Sequence, residues 1–323
     1  MNIQATIIMF FGLLLTACSL TTSQPSWLDK PGEKYTQKRY LSAVGEADNR
    51  NTANDRALAN LAKIFEVGIK DKSLDFSESQ VTTNDSGRVT SNNQRAARYV
   101  TTEAKQVLEG AQVMETWESD EGRFFALAVL EKVPAERRFR EGIRSADRKI
   151  EERVMYARQQ APNLVAALAA LEQARKIEIQ RSNLNRNLSV VRGKGITAHY
   201  DQAKLEVLLR DALATLRFKV MADSSQLQQN LESAISALGI TLDKGSAYQL
   251  KATMDTEEIQ KKQGWYWLRG STELSLMHEG EVVAKKRWPL KVSSTDKGQV
   301  EQRAKDMLSA KMADYLYELL ISN

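Results

Sequence analysis

Apolar residues along this chain recur with different periods in different blocks, and the period sets the predicted elements. Tyr40-Leu41-Ser42-Ala43-Val44-Gly45 reads as a short strand closed by a glycine. Over residues 51–65, Ala53, Ala57, Leu61 and Ile64 fall on one face at helical spacing, which predicts an amphipathic helix. Phe65, Val67 and Ile69 then alternate with polar residues, and Leu74 and Phe76 follow, so a second strand is expected to begin there. Residues 77–93 are almost all polar and read as a loop or hairpin tip, with a helix after them over 96–107. Strands over 113–117 and 123–133 flank Ser119-Asp120-Glu121-Gly122, a good hairpin turn.

The next block is helical throughout. Ile143, Ala146, Ile150, Val154 and Ala157 keep a helical period amid dense Arg and Glu. After Ala161-Pro162, Leu164, Leu168, Leu171, Ala174 and Ile177 continue it. Proline is tolerated at a helix start, so the block predicts two helices folded back as a hairpin, each roughly 30 Å long. Helices over 200–213 and 225–238 follow, then amphipathic strands over 248–258, 265–278 and 281–292, with His278-Glu279-Gly280-Glu281 turning between the last two. A helix over 299–320 closes the chain. The predicted fold class is α+β: an N-terminal small α/β-mixed sheet domain, a helical hairpin spacer, and a C-terminal three-stranded antiparallel meander with helices on one face.

Strand periodicity supplies the candidate contact surface. Even positions of the last strands are apolar, among them Tyr266, Leu268, Leu274 and Leu276, then Trp288, Leu290 and Val292. Side chains alternate faces along a strand, so this even set is expected to bury against the helices. Trp265 and Trp267 then stand on the outer face, with Arg269, Lys285 and Arg287 expected nearby. Exposed tryptophan with arginine is the composition of interface hot spots.

Chemistry is sparse elsewhere. The two histidines, His199 and His278, lack metal-ligand spacing and read as surface or turn residues. Arg192-Gly193-Lys194-Gly195 has neither the glycine spacing nor the trailing Ser or Thr of a phosphate loop. Glu115, Glu118, Asp120 and Glu121 flank a hairpin turn, where solvated carboxylates are the default. The expectation is a non-enzymatic protein with no cofactor and no metal. The formal charge of +5 is a mild excess with acids and bases mixed throughout, which does not point to nucleic acid.

The start of the chain carries a different signal. Residues 7–15 are an apolar run broken only by Gly12, too short to span a bilayer and matching a signal-peptide core. Leu15-Thr16-Ala17-Cys18 follows at once and reads as a lipobox, so lipidation is expected on Cys18, the only cysteine in 323 residues. The leader holds no Lys or Arg, only the α-amino group. Residues 1–17 are thus a signal peptide and 18–33 a lipidated tether. Ser19 is not an acidic retention residue, which by resemblance to sorted lipoproteins favours the outer membrane, periplasmic face.

Trp27, the 40–45 strand with its trailing Glu46-Ala47, the helix carrying Ala53, Arg56, Ala57 and Asn60, and the hairpin with Gly110, Trp117, Gly122 and Leu127-Ala128-Val129-Leu130 resemble the LPP-twenty family of bacterial outer-membrane or surface lipoproteins. The resemblance covers about residues 27–133 and implies a fold rather than an activity, since its motifs are structural. Domains follow as an LPP-twenty-like domain over 34–133, a helical hairpin over 134–185 and a C-terminal α+β domain over 186–323. Two functions stay open, with an enzyme of unknown type as a distant third: a scaffold or regulator of an envelope assembly, which the family likeness connects with the flagellum, and a binding module for peptidoglycan or cell-wall synthases. The expected partners are the membrane, through the lipid, and either an envelope protein or peptidoglycan.

Overall fold

Gly45 sits where a strand and a helix come closer than any side chain allows. In the computed structural model, which describes residues 24–73 and 107–322, a Cβ at Gly45 would lie 2.2 Å from the Ala57 nitrogen and 2.4 Å from the Ala53 oxygen. That approach seats the helix Arg50–Ser73 (α2) on the strand Tyr40–Ala47 (β1), after a single turn of helix at Pro31–Lys34 (α1). Asn49 caps α2 by accepting the Thr52 N–H at 2.9 Å. Arg56 and Asn60 reach back from α2 to the carbonyls of Glu46 and Val44, at 2.7 and 2.9 Å.

The chain divides into two units, Met1–Ala135 and Glu136–Asn323. In the first, Phe124–Glu131 (β3) is the middle strand, antiparallel to β1 on one side and to Gln112–Glu118 (β2) on the other. Both faces of β3 are covered. Ala126 and Ala128 lie in register with Gly45 and Ala43, on the face that receives α2. Leu127 and Val129 face the other way and pack with Trp27 and Tyr35. The strand expected to begin at Phe65 is absent, because α2 runs on to Ser73 and takes in Val67 and Ile69. Leu61, Phe65 and Ile69 are also four apart, and that helical reading prevails over a short alternation. The predicted features at Leu74, Phe76, 77–93 and 96–106 lie outside the described residues, as do residues 1–17 and Cys18.

The second unit opens with two long antiparallel helices, Lys132–Gln159 (α3, which begins just before the boundary) and Leu164–Arg192 (α4). At 28 and 29 residues they extend about 42 Å and 44 Å, longer than the sequence suggests. Asn163 accepts the Ala166 N–H to start α4, and Gly193, with φ at 84°, ends it. Arg192 pairs with Glu136 at 3.3 Å and Arg181 with Asp147 at 2.7 Å along the hairpin. Near the bend, Ile150, Val154, Val165, Leu168 and Leu171 join the main core of this unit.

That core fills the space between the helices and one face of a sheet. Its strands are Arg217–Ala222 (β4), Thr241–Leu242 (β5), Tyr248–Thr256 (β6), Gln260–Lys262 (β7), Trp265–His278 (β8) and Glu281–Ser294 (β9). The antiparallel meander of β6, β8 and β9 matches the sequence reading. It is extended beyond that reading by β4, parallel to β6, and by β5, parallel to β4. Gln202–Thr215 (α5), Ser225–Ala237 (α6) and Lys297–Leu320 (α7) bury Leu205, Leu209, Leu227, Leu231, Leu308 and Leu316 in the same core. The molecule is α+β.

Candidate functional site

Two tight turns aim the candidate surface. Gln263-Gly264 joins β7 to β8 and Glu279-Gly280 joins β8 to β9, and all four residues have positive φ, 51° and 80° in the first turn and 53° and 90° in the second. Such two-residue turns suit the twist of a hairpin and pin its register. Pairing along β8 and β9 therefore runs unbroken from Tyr266 opposite Ser294 to Leu276 opposite Ala284, and shifts only at the next residue. Leu268, Leu274, Leu276, Trp288 and Leu290 are buried on the inner face. Trp288 is fixed there by stacking on Tyr315, 4.5 Å between rings, and by an Nε1–H bond to Glu318 at 2.9 Å.

The outer face holds the residues singled out above, at two separate places. Trp265 is 45% exposed at the start of β8, beside Lys262 in register, while Trp267 is half-buried with the Lys291 ammonium 5.2 Å from its ring centre. Arg269 lies opposite Lys291. Lys285 and Arg287 are not beside the tryptophans. An antiparallel hairpin returns the first residues of β9 to the far end of β8, so Arg287 lies opposite Glu273, eight residues or about 26 Å along the strand from Trp265. There Lys285 at 2.8 Å and Arg287 at 3.0 Å grip the Glu273 carboxylate, and the Lys285 bond holds it below the usual carboxylate range.

Sequence reasoning leaves out several members of this face. Lys291 falls on this face by alternation along β9, but counting back from the Glu279-Gly280 turn misses its partner Arg269 by one residue, because the register shifts next to Leu276. Lys251 falls on the face by the alternation of β6, which pairs antiparallel with β8, whereas Arg217 and Lys219 on β4 join it only through a parallel pairing, which has no turn from which to count. With Lys262, Arg269, Lys285 and Arg287, these give eight cations at the strand positions of the face, against Asp255 and Glu273. Met221 and Val282, 45% and 58% exposed, lie on the same face at the end away from Trp265.

A second concavity, an open cleft of about 780 Å³ in the N-terminal unit, is lined by Trp117, Phe125, Arg56, Asn60, Glu46 and Arg123 among others. Its charged and amide groups are largely engaged, since Arg56 and Asn60 hold β1 carbonyls and Arg123 pairs with Glu46 and Asp48, while the buried Trp117 Nε1–H has no acceptor among the described residues. Nearby, Glu115 accepts from Lys34 and from the Tyr35 hydroxyl at 2.9 Å, and the Lys34 bond holds its carboxyl below the usual range. Glu118 and Asp120 are exposed. His199 and His278 each lie against a tyrosine ring, 4.6 Å from Tyr200 and 4.2 Å from Tyr248. Among the described residues no three His, Cys, Asp or Glu gather as a metal site, and no helix is long and apolar enough to cross a membrane.

None of the curated proteins matches this chain. Among solved structures, it is similar to the secreted protein HP1454 from Helicobacter pylori, at 14% identity and a TM-score of 0.44, over 85% of this chain and 96% of that one. A minor lipoprotein from Acinetobacter baumannii is similar at 14% identity and a TM-score of 0.28, over 33% of this chain and 90% of its own. Residues 25–131, within the N-terminal unit, match the model of the LPP20 lipoprotein family.

Proposed function

We propose that this protein is a non-enzymatic lipoprotein held at the outer membrane, on its periplasmic face, by acyl chains on Cys18. It scaffolds or regulates an envelope assembly through the outer face of its C-terminal sheet. The observation that carries the reading is that face: its inner side supplies the core, while its outer side presents Trp265 and a field of cations. The lipoprotein family match over residues 25–131 supports the anchor, as does the lipobox Leu15-Thr16-Ala17-Cys18. Several acyl chains at ~0.8 kcal/mol per buried CH₂ make attachment effectively permanent.

Two measurements test it. Metabolic labelling with a fatty-acid probe should mark the parent and not Cys18→Ser, which should stay unprocessed or leave the membrane. Label on Cys18→Ser would remove the anchor assignment. A photo-cross-linking residue placed at position 265 in cells should give strong adducts, while one at Gln302 on the exposed side of α7 should give few. Equal or absent adducts from position 265 would remove the working face.

A further inference from the structure

We infer that the outer face of the β4–β9 sheet docks on a membrane leaflet rich in anionic phospholipid headgroups, with the Trp265 indole entering the boundary layer. The inference rests on reading this face as the working surface, and it names the occupant.

Charge is the first ground. The strand positions of this single face carry eight cations and two acids, a net of six that exceeds the +5 of the whole chain. The basic excess of the protein is therefore concentrated here, and the remainder is close to neutral. A leaflet of anionic headgroups is the complementary surface, and juxtaposed lysines and arginines are drawn to it. The kind of cation is the second ground. Five of the eight are lysines, which protein interfaces disfavour and which suit phosphate as compact, hydrated charges. Lys219, Lys251 and Arg269 form no ion pair with any described residue, so no described carboxylate competes for them. The third ground is the exposed apolar groups. Trp265 follows directly on the Gln263-Gly264 turn at 45% exposure, and tryptophan favours the boundary between water and lipid. Acyl chains on Cys18 would keep the face at high effective concentration beside such a surface.

The test uses the mature chain from position 18 onward, produced without residues 1–17 and carrying Cys18→Ser, so that neither the apolar leader nor an acyl chain contributes. It should sediment with mixed phosphatidylglycerol and phosphatidylcholine vesicles and not with pure phosphatidylcholine. Raising salt to roughly 1 M, where charges are screened within ~3 Å, should release it. Each cation removed should weaken partitioning about five-fold, so combining Lys219→Gln, Lys251→Gln and Arg269→Gln should weaken it about a hundred-fold. Trp265→Ala should weaken it further at unchanged charge. All four positions are exposed, so melting temperatures should match the parent. Equal binding to both vesicle types, or binding untouched by the triple change, overturns the inference. If vesicles are ignored while position 265 still cross-links a protein in cells, the occupant is a protein surface. The lipid inference then falls and the working face stands. If both signals are missing, both readings fall.

Discussion

Glu178 on α4 shows how one buried side chain makes stability depend on pH. It is 5% exposed, and burial, opposed in part by the Arg181 charge, pushes its carboxyl up to about 6 from 4.5. The folded chain therefore holds this proton more tightly than the unfolded chain does. Between those two values the stability contributed at this site falls as pH rises, and above about 6 the full cost of the buried charge persists, about 2 kcal/mol. Glu178→Gln should thus melt above the parent at neutral pH, with the gap closing by about pH 4.5; a gap indifferent to pH would contradict the burial. Glu115 has the opposite sign. Its carboxyl is held low by Lys34, so its contribution is present at neutral pH and lost as acid protonates it. Leu274 tests the register of the sheet at the same scale. It is fully buried between Ala252 and Lys286 in the ladder, so Leu274→Asp places an unpartnered charge in the core. The expected loss exceeds about 4 kcal/mol, read as the disappearance of the C-terminal unit's melting transition.

Between elements, the tightest joint is β1 against α2. Gly45→Ala must push the Ala53–Ala57 turn of the helix away from the strand, because the added methyl meets backbone and no flexible side chain can yield. The expected cost is roughly 1–3 kcal/mol in thermal melts of the N-terminal unit. A melt unchanged by this substitution would mean the joint is looser than 2.2 Å implies. This joint also explains what could be read in the sequence. Gly45, Arg56, Ala57 and Asn60 stand out as a pattern, and their roles prove to be strand–helix contacts rather than chemistry. The β2–β3 hairpin and the long helices are legible because local period and turn residues determine them. β4 is not, since Phe218, Val220 and Ala222 form a brief alternation whose parallel partner arrives only after α6. The same reason hides Lys219, which enters the outer face through that non-local pairing, whereas Lys251 is placed by the antiparallel pairing of β6 with β8. Lys285 and Arg287 show a subtler limit, because alternation gives the face of a residue but not its distance along it.

For the molecule as a whole, the family match ends at residue 131 and the second unit begins at Glu136, so the likeness describes a module rather than the chain. The working face proposed above lies entirely in the other module. Whether that module is self-sufficient can be argued from its core. The large buried cluster runs from Ile150 to Leu320 and draws on α3 to α7 and the sheet, with every buried member inside the second unit. A core of this extent is ample for independent folding. Only the first turn of α3 precedes the boundary, and the ion pairs Glu136–Arg192 and Asp147–Arg181 that close the hairpin survive a cut there. Residues 136–323 produced alone should therefore give one cooperative melt and mixed helix and sheet circular dichroism. They should also sediment with anionic vesicles at the same salt dependence as the full chain, since all eight cations of the face are present. A fragment without a cooperative transition would show that the two units share their stability. A folded fragment that has lost vesicle binding would place the cationic contact outside the sheet.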